Sequence, residues 1–181
     1  MGASPRITAG SFRGRILRVP DAAGLRPTPA KVRQAMFNIL GDIEGARVLD
    51  LFSGSGLMAL EALSRGASGV VSVERQRRTV GHLQQVRSDW GLDSRWHIMA
   101  GEAFAVLERL RGEQFDLIFA DPPYDKGYAE RIPEKLDETG IDCRRLVIEE
   151  SARVTPAWPE SWTAESPRRY GDTCLHFLHR C

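Results

Sequence analysis

Five short apolar runs, separated by four stretches of helical periodicity, constrain this chain more than any other feature. Residues 47–52 (RVLDLF), 70–74 (VVSVE), 96–99 (WHIM), 115–120 (FDLIFA) and 145–149 (RLVIE) have the length and the β-branched or aromatic content of buried strands. The segments between them, 57–65, 75–90, 104–110 and 128–138, read as helices, the last interrupted or started by Pro133. Strands alternating with helices imply right-handed crossovers and a mostly parallel sheet with helices on both faces. In the tail, residues 162–165, a turn at Tyr170-Gly171-Asp172 and residues 174–178 form a closing antiparallel pair, which brings the expected sheet to seven strands. At 181 residues, 42% hydrophobic and 27% charged, the chain suits one soluble domain.

Ligands of such sheets lie beyond the carboxyl ends of the strands, where the strand order reverses. The acids of this sequence gather at those ends: Asp50 after the first strand, Glu74 after the second, Glu102 after the third and Asp121 after the fourth. Between Asp50 and the first crossover helix lies Phe52-Ser53-Gly54-Ser55-Gly56, part of a loose G-x-G-x-x-G/A pattern. That pattern alone would suit NAD(P), with Glu74 on a ribose. Asp50 argues otherwise, because a carboxylate at that strand end is poorly placed beside a pyrophosphate. It suits S-adenosylmethionine, which carries a cationic amine and a sulfonium. Glu74 can accept from both ribose hydroxyls, and the Glu102-Ala103 region lies where an adenine amine could be read.

The fourth strand stops at Asp121-Pro122-Pro123-Tyr124. Two prolines have no N–H to give to a ladder, and each biases the residue before it towards an extended conformation. The result is a stiff ledge with one carboxylate, free backbone carbonyls and an aromatic ring. It suits a flat, amino-bearing ring, with acceptors for the NH2 group and a tyrosine face for stacking.

The charge is segregated. Residues 1–33 carry Arg6, Arg13, Arg15, Arg18, Arg26, Lys31 and Arg33 against Asp21 alone, whereas the rest of the chain is mildly acidic. A basic end on an acidic body points to a polyanionic partner met from one side. Residues 7–19 read as a small hairpin presenting arginines beside Phe12, and residues 20–27 as a linker-like turn region. Thr28 as N-cap and Pro29 at the first helical position open a helix whose apolar face is Val32, Ala35, Met36, Ile39 and Leu40, with Lys31 and Arg33 off it and Gly41 as its stop. Three cysteines without C-x-x-C spacing and four histidines without ligand spacing indicate reduced cytosolic thiols and no metal. No apolar run is long enough to span a bilayer.

Taken in order, Asp50-Leu51-Phe52-Ser53-Gly54-Ser55-Gly56, Glu74 and Asp121-Pro122-Pro123-Tyr124 resemble a class I, Rossmann-like S-adenosylmethionine-dependent methyltransferase acting on an exocyclic amine of a base. The N-terminal pieces, residues 10–15 (GSFRGR) and 26–40 (RPTPAKVRQAMFNIL), resemble the RsmD-type family, although Ser11 stands where that family commonly has a second glycine and Glu102 where it more often has Asp or Asn. The resemblance implies transfer of a methyl group to the N2 amine of a guanine in small-subunit ribosomal RNA, within an assembled or assembling 30S particle, by a cytoplasmic monomer. It implies Asp121, Pro122, Pro123 and Tyr124 as catalytic residues, and Asp50, Phe52, Ser53, Gly54, Ser55, Gly56, Glu74, Glu102 and Ala103 around the cofactor. Arg6, Arg13, Arg15, Arg26, Lys31 and Arg33 would meet RNA. The expected organisation is a basic hairpin-and-helix extension over residues 1–40, packed on a methyltransferase domain over residues 41–181. A DNA adenine-N6 or cytosine-N4 methyltransferase shares the ledge, but the chain leaves no room for a separate target-reading region. An NAD(P)-dependent oxidoreductase shares the glycine loop but would need a Tyr-x-x-x-Lys or His/Arg hydride-transfer set, and none is evident. A non-catalytic RNA-binding protein would have no need of the ledge or of acids at the strand ends.

Overall fold

A computed structural model describes residues 4–19, 28–124 and 126–181. In these residues eight strands form one sheet: β1 (Arg47–Asp50), β2 (Gly69–Glu74), β3 (Trp96–Ala100), β4 (Gln114–Ala120), β5 (Asp142–Ser151), β6 (Trp162–Ala164), β7 (Arg168–Tyr170) and β8 (Thr173–Arg180). Their order is β3-β2-β1-β4-β5-β8-β6, with the three-residue β7 pairing β8 off that path. Strands β1 to β5 are parallel to one another, and β8 pairs antiparallel with both β5 and β6. The alternating pattern therefore yields the expected doubly covered sheet and its antiparallel closure. The addition is β7, which leads into the expected turn at Tyr170-Gly171-Asp172.

Among the described residues five helices cover the sheet: α1 (Ala30–Leu40), α2 (Leu57–Ser64), α3 (Arg77–Asp89), α4 (Ala103–Arg109) and α5 (Tyr128–Thr139). Two buried clusters result. One joins Val48, Leu60, Leu63, Trp96 and Phe119 to Ile7, Leu17, Met36 and Phe37 from the N-terminal segment. The other joins Leu49, Leu107, Ile118, Ile132, Leu136 and Ile148. Helix α5 begins at Tyr128 and runs unbroken through Pro133, which corrects the expectation of an interruption. The backbone bond that proline forgoes is offset by the burial of Ala129, Ile132 and Leu136 on the face that packs inward.

The N-terminal segment departs from its pattern in two places. Pro29, not Thr28, holds the cap position of α1, and no side chain caps the helix. The Thr28 hydroxyl instead points towards Glu149, 3.4 Å away. Arg33, expected off the apolar face, is buried with Phe37, and its guanidinium donates to the Glu61 carboxylate and to the carbonyls of Thr28 and Arg6. The hairpin is present as an antiparallel bridge between Arg6 and Ile16. It docks on α2 so closely that a Cβ at Gly10 would lie 1.7 Å from the Ser64 carbonyl oxygen. The expected turn at residues 20–27 lies outside the described residues. No helix among the described residues is long and apolar enough to cross a membrane.

Candidate active site

The strand order reverses between β1 and β4, and at their carboxyl ends opens a cavity of about 800 Å³. It is lined on one side by residues 50–55, Glu74, Glu102 and Ala103, and on the other by Asp121 to Tyr124. Of the residues expected around a cofactor, only Gly56 is absent from the lining. Its role is to turn the chain. Gly56 caps α2 at φ 78°, and a Cβ there would sit 2.6 Å from Leu83 and 2.8 Å from the Trp96 ring. The glycine loop can thus lie flat against α3 and β3 and leave its outer face to the cavity.

The first wall is organised by two carboxylates. Asp50 is 3% exposed and accepts a 2.5 Å hydrogen bond from the Ser53 hydroxyl. Burial pushes its carboxyl up to about 7, against the pull of that hydroxyl, and the nearby Glu74 adds to the rise. Glu74 accepts from the backbone N–H groups of Gly54 (3.1 Å) and Gln76 (2.7 Å), one on each oxygen. Each of its oxygens keeps a further lone pair for a ligand. Glu102 is exposed at the rim, where its carboxylate caps α4 through the Phe104 N–H.

The second wall is the proline ledge. Pro122 is buried, Pro123 exposed, and Asp121 and Tyr124 are intermediate. Burial holds the Asp121 carboxyl well above the usual range, and the like charges of Glu149, Asp50 and Glu150 raise it further. The Tyr124 hydroxyl donates to Glu149 at 2.7 Å and lies 3.0 Å from the Thr173 hydroxyl, so the ring is held from its far end. Burial is the main reason that the Glu149 carboxyl is also raised, despite these hydroxyls. The cavity is therefore rich in carboxyl groups on both walls and suited to cationic or donor-rich ligands.

A family model described as conserved hypothetical protein 95 matches residues 5–179. The chain belongs to that family, the RsmD methyltransferases. It is 32% identical over 179 residues to the ribosomal RNA small subunit methyltransferase D of Escherichia coli K12, an alignment spanning 97% of this chain and 89% of that protein. The protein of the same name from Haemophilus influenzae is 32% identical over 163 residues, with 87% and 84% of the two chains covered. Among solved structures, a putative methyltransferase from E. coli superposes with a TM-score of 0.86 at 30% identity, over 98% of both chains. The RsmD fold is thus the class I methyltransferase fold, and the glycine loop of this chain is the loop of a methyltransferase, which removes the oxidoreductase reading.

In the RsmD chain the described cations expected to meet RNA lie away from the cavity, whose lining does include the exposed Arg75. Arg6, Arg13, Arg15 and Lys31 are exposed and none lines it. Arg15 lies over Trp90, its guanidinium carbon 3.8 Å from the ring centroid, and Phe12 meets the same ring edge-on. Phe12 is thus partly buried in a hairpin–helix contact instead of standing free. Arg33 is corrected out of the surface set because its charge is 1% exposed and already paired with Glu61. Arg26 lies outside the described residues. Sequence reasoning missed Thr28, Glu149 and Thr173, which complete the second wall. Glu149 obeys the same strand-end rule as the other acids and could have been found by it. The two threonines carry no signal, since only tertiary pairing brings them here.

Proposed function

We propose that the protein transfers a methyl group from S-adenosylmethionine to the exocyclic N2 amine of a guanine in small-subunit ribosomal RNA. One observation carries this reading: the carboxyl-bearing loop wall and the proline ledge face each other across a single cavity. The names of the relatives supply the substrate class. The residues present fit the cofactor. Asp50 offers a buried carboxylate with no cationic partner among its hydrogen bonds, suited to the ammonium. Glu74 has spare lone pairs for the ribose hydroxyls, and the region of Glu102 and Ala103 lies at the adenine end.

When bound, the cofactor supplies a methyl group activated by a positive sulfur. The protein's part is to hold the nucleophile. A guanine N2 lone pair is delocalised into the ring and attacks poorly. The Asp121 carboxylate and the Pro122 carbonyl accept the two amine hydrogens and favour the pyramidal form that exposes the lone pair. Tyr124 stacks on the base and fixes its angle, and positioning supplies much of the rest. As the N–C bond forms and the S–C bond breaks, the amine nitrogen becomes positive and gives its proton to Asp121 or to water. The base enters flipped out or already single-stranded. Arg6, Arg13, Arg15 and Lys31 hold RNA phosphates along the exposed N-terminal face.

The decisive experiment incubates the protein and labelled S-adenosylmethionine with small subunits from cells lacking the modification. Label on one guanine N2 is the expected result, and label elsewhere, or none, overturns the reading.

A second outcome concerns pH. Only ionised Asp50 attracts the ammonium, so cofactor affinity rises with pH through about 7. Well below that value it falls roughly tenfold per pH unit. In the ligand-free protein the sign is opposite. A carboxyl raised by folding contributes stability that is fully present below its unfolded value and is lost as pH rises through about 7. Asp50→Asn is therefore expected to stabilise the empty protein at alkaline pH while weakening cofactor binding and flattening its pH profile. Calorimetric titrations at several pH values check both effects, and an unaltered profile in the variant would remove Asp50 from this role.

A further inference from the structure

Glu149 and Asp172 are acids on the ledge side of the cavity to which the mechanism above gives no work, and Glu149 is the one whose charge bears on Asp121. It follows Ile148, which pairs with Ala120 of β4, so Asp121, just past the end of β4, and Glu149, two residues before the end of β5, are lateral neighbours on adjacent parallel strands. Such strands lie about 4.8 Å apart. Glu149 is 9% exposed and lines the cavity beside Tyr124, Thr28 and Thr173. Its Oε1 accepts a short bond from the Tyr124 hydroxyl, the Thr173 hydroxyl also acts on the carboxylate, and its Oε2 has the Thr28 hydroxyl at 3.4 Å. That last contact is too long to occupy the oxygen. Glu149 thus lines the cavity with a carboxylate oxygen that keeps lone-pair capacity to accept.

Holding Tyr124 does not need a charge. A glutamine or serine would accept from the same hydroxyl without setting a second anion beside Asp121, an arrangement that raises the Asp121 carboxyl. A negative charge retained in this position suits a ligand that brings a second donor next to the amine. Among the amino-bearing bases of RNA, guanine has that pattern: its 2-amino group adjoins a ring N1–H. In adenine and cytosine the ring nitrogen beside the amine is an acceptor, and its lone pair would face the carboxylate.

We propose that Glu149 is a specificity-determining residue whose Oε2 accepts the N1–H of the target guanine while Asp121 takes the neighbouring 2-amino group. Two carboxylates side by side then read two adjacent donors, and the pocket rejects the other bases by opposing acceptors. The proposal rests on the guanine-N2 reading given above. It assigns to one residue the choice of base, as distinct from the activation of the amine.

The test compares guanine with 2-aminopurine at the target position of reconstituted small-subunit RNA, in wild type and in Glu149→Gln. The analogue keeps the 2-amino group but presents an acceptor at N1. The variant keeps an acceptor for Tyr124 and offers an amide N–H towards the base. Wild type is expected to favour guanine in kcat/KM by roughly 10²-fold. Glu149→Gln is expected to reduce that preference at least tenfold, by losing rate on guanine and gaining it on the analogue. The ratio of the two preferences cancels the intrinsic difference in reactivity between the bases. A variant that slows both substrates equally, or neither, overturns the role and leaves Glu149 as a support for Tyr124. Unchanged binding of S-adenosylhomocysteine to the variant reports an intact fold. A wild type that leaves guanine N2 unmodified overturns the functional reading itself, and this role with it.

Discussion

Asp121→Ala is expected to lower kcat for methyl transfer by about 10²- to 10³-fold, the usual consequence of removing a preorganised polar partner of the reacting group. Cofactor affinity should stay within a few-fold of wild type. The separation follows from the two-walled cavity. Asp50 and Glu74, on the proposed cofactor side, take their own hydrogen bonds from Ser53, Gly54 and Gln76, and none of these involves the ledge. Removal of the Asp121 carboxylate also takes a like charge from beside Glu149, so the fold should not suffer. The pH dependence carries a further signature. The Asp121 carboxyl is held well above its ordinary range by burial and by its acidic neighbours, so the form that accepts the amine hydrogens is depleted as pH falls. The wild-type rate therefore rises with pH over a range displaced upward from that of an ordinary aspartate. Asp121→Asn keeps one acceptor but cannot titrate, and should show a lower rate with a flattened acid limb. Single-turnover methylation at saturating cofactor, followed across pH, measures both effects. A turnover in Asp121→Ala near that of wild type would reduce the ledge to a turn between strand and helix.

The sheet was legible because buried parallel strands leave dense apolar runs, and the site because ligands gather at strand ends in such sheets. Asp50, Glu74 and Asp121 could be placed by position alone, and they do share one cavity. What escaped depends on pairing between distant segments. Glu149 reads as the last residue of a strand until β4 and β5 come into register and set it beside Asp121. Thr28 reads as a helix cap because a local rule favours it, yet its hydroxyl turns to an acid 121 residues away in sequence. Arg33 looks like a surface cation on the polar side of α1, and no local pattern shows that Glu61 waits for it on α2. Pro133 breaks helices in isolation, but the inward face of α5 outweighs that preference.

The same Glu61 supplies the largest expected effect on stability. It is fully buried on α2 and gathers the N-terminal segment around one carboxylate. The Thr8 hydroxyl (2.5 Å) and amide (2.9 Å), the Ala9 amide (3.2 Å), Arg33 (3.1 Å) and Arg65 (2.9 Å) all donate to it. Burial alone would raise the carboxyl, but the bonds from Thr8 and Arg65 and the charge of Arg33 outweigh it and hold the group below its ordinary range. Glu61→Ala leaves the buried Arg33 charge and two backbone donors without their acceptor, so a loss of about 3–5 kcal/mol is expected. For a chain of this size that lowers Tm by roughly 10 °C. Arg33→Met should also destabilise. Glu61→Leu combined with Arg33→Met should recover only part of the loss, since the amides of Thr8 and Ala9 remain unsatisfied. The linkage has the sign of a depressed carboxyl. Its contribution is present at neutral pH and is lost as pH falls from the ordinary glutamate range through the lower folded value, so the difference between wild type and Glu61→Ala should narrow in acid. Thermal unfolding of the four proteins at neutral and acid pH checks this, and a Glu61→Ala midpoint within a degree or two of wild type would show that the extension is held by its apolar contacts alone. Because Arg33 also donates to the carbonyl of Thr28, whose hydroxyl reaches towards Glu149, a loosened hub should be felt in the target-base wall as well as in the fold. The expected mark is a raised KM for RNA at temperatures where the variant is still folded.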